Sequence, residues 1–483
     1  MGNSIFWYDF EATGIDPRRD RPLQVAGVRT NEQLEEIDEP LCIDCRLAED
    51  VLPHPMACLV TGIDPARVQR GLPEARFMHL LHEQMARPGT CTAGYNSLRY
   101  DDEMTRFSLY RNYFDPYARE WQGGNSRWDL LDALRTAHAL RPEGIEWPQQ
   151  DGFTSFRLEL LTAANGIDHG QAHDALADVR ATIAMARLLR QAQPRLYDYL
   201  YQLRDKHRVS ALVDLQQVRP LVHVSGRFGR ERSGLALVLP LAWHPRNRNA
   251  LIVWDLAVAP DMLQELSPEQ LRQRLYTRTE ELAPGEQRPG LKLVHINKCP
   301  VLAEARVLRP VDIERLQLDM PLLLSRAEQL GQWREGLKGR LDTIYSEQPG
   351  PAEPEVEAET LLYDGFMSDR DRRLLEAIRE TDGVGLARTR WPLEDQRLVD
   401  MLPRYRARNF PESLNAEETH QWLAFCRRKL SGELPGAGIT LDSFMGEIRR
   451  LLPEASEEQR QLLEQWEHYA RELATRLQLP GGR

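Results

Sequence analysis

Cysteine, lysine and long apolar runs are all scarce in this sequence. Six cysteines in 483 residues, irregularly placed at positions 42, 45, 58, 91, 299 and 426, make no disulfide framework and indicate a reducing, cytoplasmic setting. The longest nearly unbroken apolar stretch, Leu235 to Trp243, is about half of the roughly 20 residues needed to span a bilayer, and it carries Pro240. No basic segment followed by a long apolar one opens the sequence, so neither a membrane anchor nor a secretory leader is expected. Positive charge is also in deficit: 62 Lys and Arg face 73 Asp and Glu, a formal net charge of −11. That excludes a protein that coats polyanions over its whole surface, and any nucleic-acid site must be concentrated in a local basic groove. Five of the 62 basic residues are lysines; the rest are arginines, which suit bidentate phosphate contacts and base stacking but equally follow from genomic base composition.

What is present is ordinary for a folded chain, with 42% hydrophobic and 28% charged residues, so disordered and fibrous classes are excluded. At roughly 100 to 200 residues per domain the length predicts two to four domains. Residues 1–193 read as α/β. Strand-like runs at 4–10, 23–30, 39–45 and 90–95 are followed by helical spacing at 98–110, 128–140, 156–165 and 175–191. From about Pro220 the period changes to two, at 221–225, 235–242 and 250–256, which predicts a small β-barrel or sandwich. Residues 346–359 combine prolines and glutamates with few apolar side chains, a linker composition, and helical periodicity resumes near Leu361.

The first strand ends in Asp9-Phe10-Glu11. Side chains alternate along a strand, so the two acids project from one face, about 7 Å apart at Cα. Adjacent carboxylates on a buried strand repel unless a cation neutralises them, which suggests a divalent metal site; alone, the pattern is more often a solvated strand end. Asn96-Ser97-Leu98-Arg99-Tyr100-Asp101 places another acid at a helix start, a position otherwise typical of an N-cap. His173-Asp174-Ala175-Leu176-Ala177-Asp178 opens a further helix, with Asp178 one turn from Asp174 and His173 just ahead of it. By itself His173 is a polar loop residue.

In the order Asp-x-Glu, Asn-x(3)-Tyr-Asp and His-x(4)-Asp, these motifs share no structural explanation. Together they resemble the acidic exonuclease superfamily with four carboxylates and a histidine, DEDDh. Longer strings are similar to the bacterial exonuclease I family: Asp20-Arg21-Pro22, Asn125-Ser126-Arg127-Trp128-Asp129-Leu130-Leu131-Asp132, Leu140-Arg141-Pro142-Glu143-Gly144-Ile145, Pro194-Arg195-Leu196, Val294-His295-Ile296-Asn297-Lys298-Cys299-Pro300-Val301-Leu302 and Tyr405-Arg406-Ala407-Arg408-Asn409-Phe410-Pro411. The likeness reaches across essentially the whole chain, and the Val294 to Leu302 string is its most specific part.

The resemblance implies an α/β fold: an RNase H-like exonuclease domain with a mixed sheet (1–193), an SH3-like β-barrel domain (194–348), a linker (349–360) and an all-α C-terminal domain (361–483). It implies a single-strand-specific 3′→5′ exodeoxyribonuclease of DNA repair and recombination, releasing 5′-mononucleotides by two-metal-ion hydrolysis. Asp9, Glu11, Asp101 and Asp178 become ligands of two Mg²⁺ ions, for which Mn²⁺ can substitute, and His173 the base. Implied partners are single-stranded DNA and the acidic C-terminal tail of single-stranded DNA-binding protein, and a monomer is expected. Asp102 competes with Asp101, but the motif selects the first of the pair. The family often has Phe where Tyr100 stands and other residues at Ala12 and Ile15, differences that touch packing and not ligands.

Grip on a single strand needs cations for phosphates and aromatic faces for bases. Residues 106–157 interleave them, and Arg106, Tyr117, Trp121, Arg135, Arg141, Phe156 and Arg157 are candidate contacts together with Glu11. Tyr110, Arg111, Tyr113, Trp128 and Trp147 lie in the same segment, and for Trp128 core filling is the better account. Arg404, Arg406 and Arg408 either add charge to the channel or form a solvated helix face. Cys42-x-x-Cys45 with His54 and Cys58 imitates a zinc site but reads better as apolar thiols. Two rival functions remain: a DEDDh exoribonuclease, and a nuclease-inactive nucleic-acid-binding scaffold.

Overall fold

The computed structural model describes residues 2–170, 174–346, 357–434, 436 and 438–480. Compactness cuts across sequence order. One unit gathers Met1–Ser126, His169–Ile183 and Ala352–Arg483, and the other gathers Arg127–Asp168 and Ala184–Pro351.

The first unit is built on β1 (Ser4–Ala12), β2 (Pro22–Thr30), β3 (Leu41–Asp44) and β4 (Thr90–Gly94), in the order β3-β2-β1-β4. β1 runs parallel to β4 and antiparallel to β2, so the sheet is mixed. β1 and β2 are buried at nearly every position, as expected for central strands covered on both faces. A fifth strand, β5 (Ser126–Asp129), carries the chain into the second unit. All four predicted strand regions hold strands, the third shortened to Leu41–Asp44.

One side of this sheet packs Phe6, Tyr8, Phe10 and Val25 against Phe77, Met78, Leu81 and Met85 of the Glu74–Met85 helix. A second core joins Leu23, Leu52, Cys58, Ile63 and Val68 to Trp422, Phe444, Ile448, Leu463 and Trp466. There the Trp466 indole Nε1–H donates to the carbonyl of Ile63 at 3.0 Å. A third core sets Phe107, Tyr110 and Tyr113 against Leu375, Ile378, Leu398 and Tyr405. The helical segment after residue 357 is therefore part of the first unit's interior, not an appendage.

A buried ion cluster ties the same segments together. Arg408 forks the Asp50 carboxylate at 3.0 and 2.6 Å and reaches Glu359 at 2.7 Å. Lys429 Nζ lies 3.0 Å from Asp50 and 3.3 Å from Glu357, and Arg21 pairs with Glu359. Burial alone would push the pKa values of Asp50 and Glu359 up, but the surrounding cations outweigh it and hold both carboxylates well below the usual range. Two expectations are corrected here. Arg408 neither lines a channel nor faces solvent, and Arg406 is likewise engaged with Glu418. Glu359, within the acidic stretch taken for linker, is 1% exposed, because its charge is matched by arginines distant in sequence. Residues 347–356 of that stretch lie outside the described residues.

The second unit carries an antiparallel five-stranded sheet in the order Leu291–His295, Ala250–Asp255, Leu235–Trp243, Leu221–Val224, Val301–Glu304. Among the described residues its first and last strands do not pair, so the sheet is open where a closed barrel was expected. Pro240 is tolerated in the middle strand because a register shift falls there, opposite Ile252/Val253. The Met320–Ser346 helix packs on that strand. Among the described residues no helix is long and apolar enough to cross a membrane.

Candidate active site

β1 delivers Asp9 and Glu11 to one face of the sheet, opposite Ala26 and Gln24 of β2. A register shift between Glu11 and Ala12 ends the regular ladder at that point, the kind of irregularity that re-aims side chains at sites. The Ala175–Ala192 helix supplies Asp178 from its first turn. One carboxylate oxygen from each of Asp9, Glu11 and Asp178 lies within 4.8 Å of the others.

Asp101 is the first residue of the Asp101–Arg111 helix and is buried; its Oδ1 accepts the backbone N–H of Phe10 at 3.2 Å, which pins it to β1 between Asp9 and Glu11. It stands outside the 4.8 Å group but feels the charge of Asp9. Its neighbour Asp102 turns elsewhere, accepting from Tyr8 Oη at 2.8 Å and from Arg119 at 2.6 Å. Successive helical residues point about 100° apart, so only one of the two acids can face the pocket.

The electrostatics follow from burial without counter-charge. Burial, then Asp178, pushes Asp9 up to about 8. Burial, then Asp9, Asp178 and Asp174, pushes Glu11 up to about 9 against a small opposing pull from Arg67. Burial and then Asp9 raise Asp101 well above the carboxylate range. Among the described residues neither Asp9 nor Glu11 has an ion-pair partner. Converging, mutually repelling oxygen donors of this kind fit a hard divalent cation, which removes the repulsion that the protein leaves in place.

The loop after Glu11 is held rigid. Asp20 accepts from Thr13 Oγ1 at 2.9 Å and from the Asp16 N–H at 2.8 Å. Gly14 is required because a Cβ there would meet Asp20 and His54 at 2.5 Å. Tyr100 Oη donates to the Gly14 carbonyl, so the hydroxyl by which this chain departs from the usual Phe fastens the loop.

His173 lies outside the described residues. A different histidine, His169, sets Nε2 2.5 Å from Asp178 Oδ1; no motif flagged it, and its only sequence signal is a position four residues before His173. Gln24, Asp44 and Arg67 were also missed. Glu11, Gln24 and Asp44 lie abreast across three strands, and Arg67 forks Asp44 with two bonds of 2.9 Å.

The expected strand contacts divide between the units. In the first, Trp121 is 64% exposed. Arg106 is buried instead, bound to Glu120 at 2.7 and 2.9 Å and to Glu103 at 2.8 Å, with its guanidinium 5.5 Å from the ring of Tyr117. Matched by two carboxylates, it has the geometry of a structural ion pair and not of a phosphate contact. Tyr110, Arg111 and Tyr113 are buried as well. In the second unit Arg157 is 61% exposed beside Glu159. Arg135 pairs with Asp132 at 2.8 Å and sits over Phe156, and Arg141 is bonded to Asp312 at 3.2 Å and to the Val307 carbonyl at 2.9 Å. Trp128 packs edge-on against Tyr197 and Tyr201, as core filling requires.

Three family models match in sequence order: exonuclease over residues 6–186, exonuclease I SH3-like domain over 204–347 and exonuclease I C-terminal domain over 356–473. Exodeoxyribonuclease I of Escherichia coli K12 is 44% identical over 475 residues, 98% of this chain and 98% of that protein. The moderately thermophilic exonuclease I of Methylocaldum szegediense superposes with a TM-score of 0.92 at 47% identity, covering 98% of this chain and 99% of that one. The zinc-bound E. coli ExoI–ssDNA complex gives 0.92 at 43%, and the SSB/exonuclease I complex with an inhibitor gives 0.89 at 42%, each covering 98% of this chain and 100% of the other. Agreement in sequence and in fold, over nearly the full length of both partners, has one meaning: the chain belongs to the exonuclease I family.

Proposed function

We propose that the protein is a single-strand-specific 3′→5′ exodeoxyribonuclease that releases 5′-mononucleotides and requires divalent metal. The convergence of Asp9, Glu11 and Asp178 within 4.8 Å carries this reading. Support comes from relatives named exodeoxyribonuclease I and from the E. coli enzyme's complex with single-stranded DNA and zinc.

The all-oxygen donor set favours Mg²⁺ or Mn²⁺ over softer ions. Bound there, two such ions would supply positive charge to the attacking and leaving oxygens of the phosphodiester. The chain's own residues do the rest. Asp9, Glu11 and Asp178 hold the cations, and Asp101, fixed by the Phe10 N–H, completes the acidic wall. His173 takes the proton of the attacking water on a ring nitrogen. Glu11 also meets the 3′-terminal nucleotide. Trp121 and Arg157, the exposed members of the candidate set, contribute base stacking and phosphate contact.

A related exonuclease I is known in complex with single-stranded DNA-binding protein, and we extend that partner, through its acidic tail, to this chain. A monomer acting in the cytoplasm in repair and recombination completes the proposal. The test is to incubate 3′-labelled single-stranded DNA, duplex DNA and RNA with Mg²⁺ or with EDTA. Mononucleotide release confined to single-stranded DNA with Mg²⁺ is the expected result; equal attack on RNA, or cleavage in EDTA, refutes it.

A further inference from the structure

The mechanism above makes no use of His169, although this side chain touches the acidic pocket directly. Its ring is 11% exposed, and Nε2 stands 2.5 Å from Asp178 Oδ1. With Asp178 in the ionised form that a metal ligand takes, its oxygen accepts and Nε2 is the donor. Nine residues separate the pair, and Asp178 lies in the helix that begins at Ala175, so the bond links the preceding segment to the helix and is not a neighbour contact along one face.

The other acids of the pocket are fixed by different means. Asp9 and Glu11 belong to a strand buried along its length, and Asp101 is tied by the Phe10 N–H. Asp178 stands on the first turn of a helix with 19% of its side chain exposed, and an aspartate side chain has several staggered rotamers to choose among. A cation site needs one of them.

We propose that His169 is a positioning residue for Asp178. By holding one carboxylate oxygen it leaves the other aimed toward Asp9 and Glu11, so the chain reaches its divalent cation with the ligand already in place. The inference rests on the reading of Asp178 as a metal ligand. Hydrogen-bonded partners of metal ligands typically contribute about 10- to 100-fold in metal affinity, which sets the expected size of the effect.

The test measures Mn²⁺ binding to the full-length chain without DNA, by calorimetry and electron paramagnetic resonance, for the unaltered protein, His169→Ala, His169→Gln and Asp178→Asn. Circular dichroism confirms that each variant is folded. His169→Ala should weaken Mn²⁺ by about 10- to 100-fold, and its apparent Mn²⁺ constant in turnover should rise by the same factor. His169→Gln, whose Nε2 can reach the same oxygen, should recover most of the loss. Asp178→Asn should weaken binding at least as much as His169→Ala. If Asp178→Asn binds Mn²⁺ poorly but His169→Ala binds as well as or better than the unaltered protein, the positioning role is overturned, and His169 is then a stand-in that the cation displaces. If Asp178→Asn leaves binding unchanged, the metal-ligand reading fails first and takes this inference with it.

Discussion

Two groups of buried carboxylates lie in the same compact unit and are opposite in character. Asp50 and Glu359 are matched by Arg408, Lys429 and Arg21, and their ionised forms are strongly favoured. Asp9 and Glu11 face chiefly other acids, with no ion-pair partner among the described residues, and are pushed up to about 8 and about 9. Residue type and burial are shared, so the difference is the counter-charge. Where the chain provides it, acids hold segments together; where it withholds it, they await an ion from solution.

The largest test of this contrast is Asp9→Asn. Turnover should fall by about 10³-fold or more, since several kcal/mol of metal-supplied stabilisation is lost, while single-stranded DNA binding persists. In buffer above the value of about 8 to which Asp9 is pushed, the same variant should make the metal-free protein more stable by about 1 kcal/mol, because a repulsive charge is removed; a chemical melt there that shows destabilisation would break the comparison. Asp50→Asn should do the reverse. Taking from Arg408 and Lys429 the carboxylate they share should remove about 3–5 kcal/mol of stability, with turnover retained at temperatures where the variant is folded.

Stability against pH separates the groups next. Asp50 and Glu359 titrate lower in the folded chain than when unfolded, so their contribution is present above the usual carboxylate range and is lost in acid. Asp9 and Glu11 titrate higher when folded, so the unfolded chain binds fewer protons than the folded one between about 4 and 9, and stability falls as pH rises through that window. Thermal melts without metal should therefore lose midpoint on both sides, and Mg²⁺ should restore only the alkaline side, more at pH 8 than at pH 6. The smallest effect concerns exposed against matched arginines. Arg157→Ala should weaken single-stranded DNA binding a few-fold and reduce the salt slope by about one. Arg106→Ala should leave that slope unchanged and lower the melting temperature instead.

Much of this was legible from local pattern. Strand alternation puts Asp9 and Glu11 on one face, and helical spacing places Asp178 on a first turn; both follow from periods of 2 and 3.6 that any reader of the sequence can count. Asp101 was separable from Asp102 only through a family motif, because the Tyr8 and Arg119 partners that claim Asp102 come from a strand and a short 3-10 helix far apart in sequence. Charge pairing between distant segments leaves no such pattern. That is why Arg106 resembled a phosphate contact before Glu120 was seen against it, and why Glu359 read as solvated linker before Arg408 and Arg21 were seen around it. His169 was hidden for a similar reason, since its significance lies wholly in what it touches.

The Trp466–Ile63 bond spans 403 residues, and the core around it holds side chains from both ends of the chain. At about 5–20 residues per second of synthesis, a ribosome that has just made Ile63 needs roughly 20–80 s to reach Trp466. Until then the nascent sheet lacks the layer that covers one of its sides. The interior of this unit is therefore complete only once Trp466 has been made, and the apolar face it covers stays open to water and to proteases until that moment.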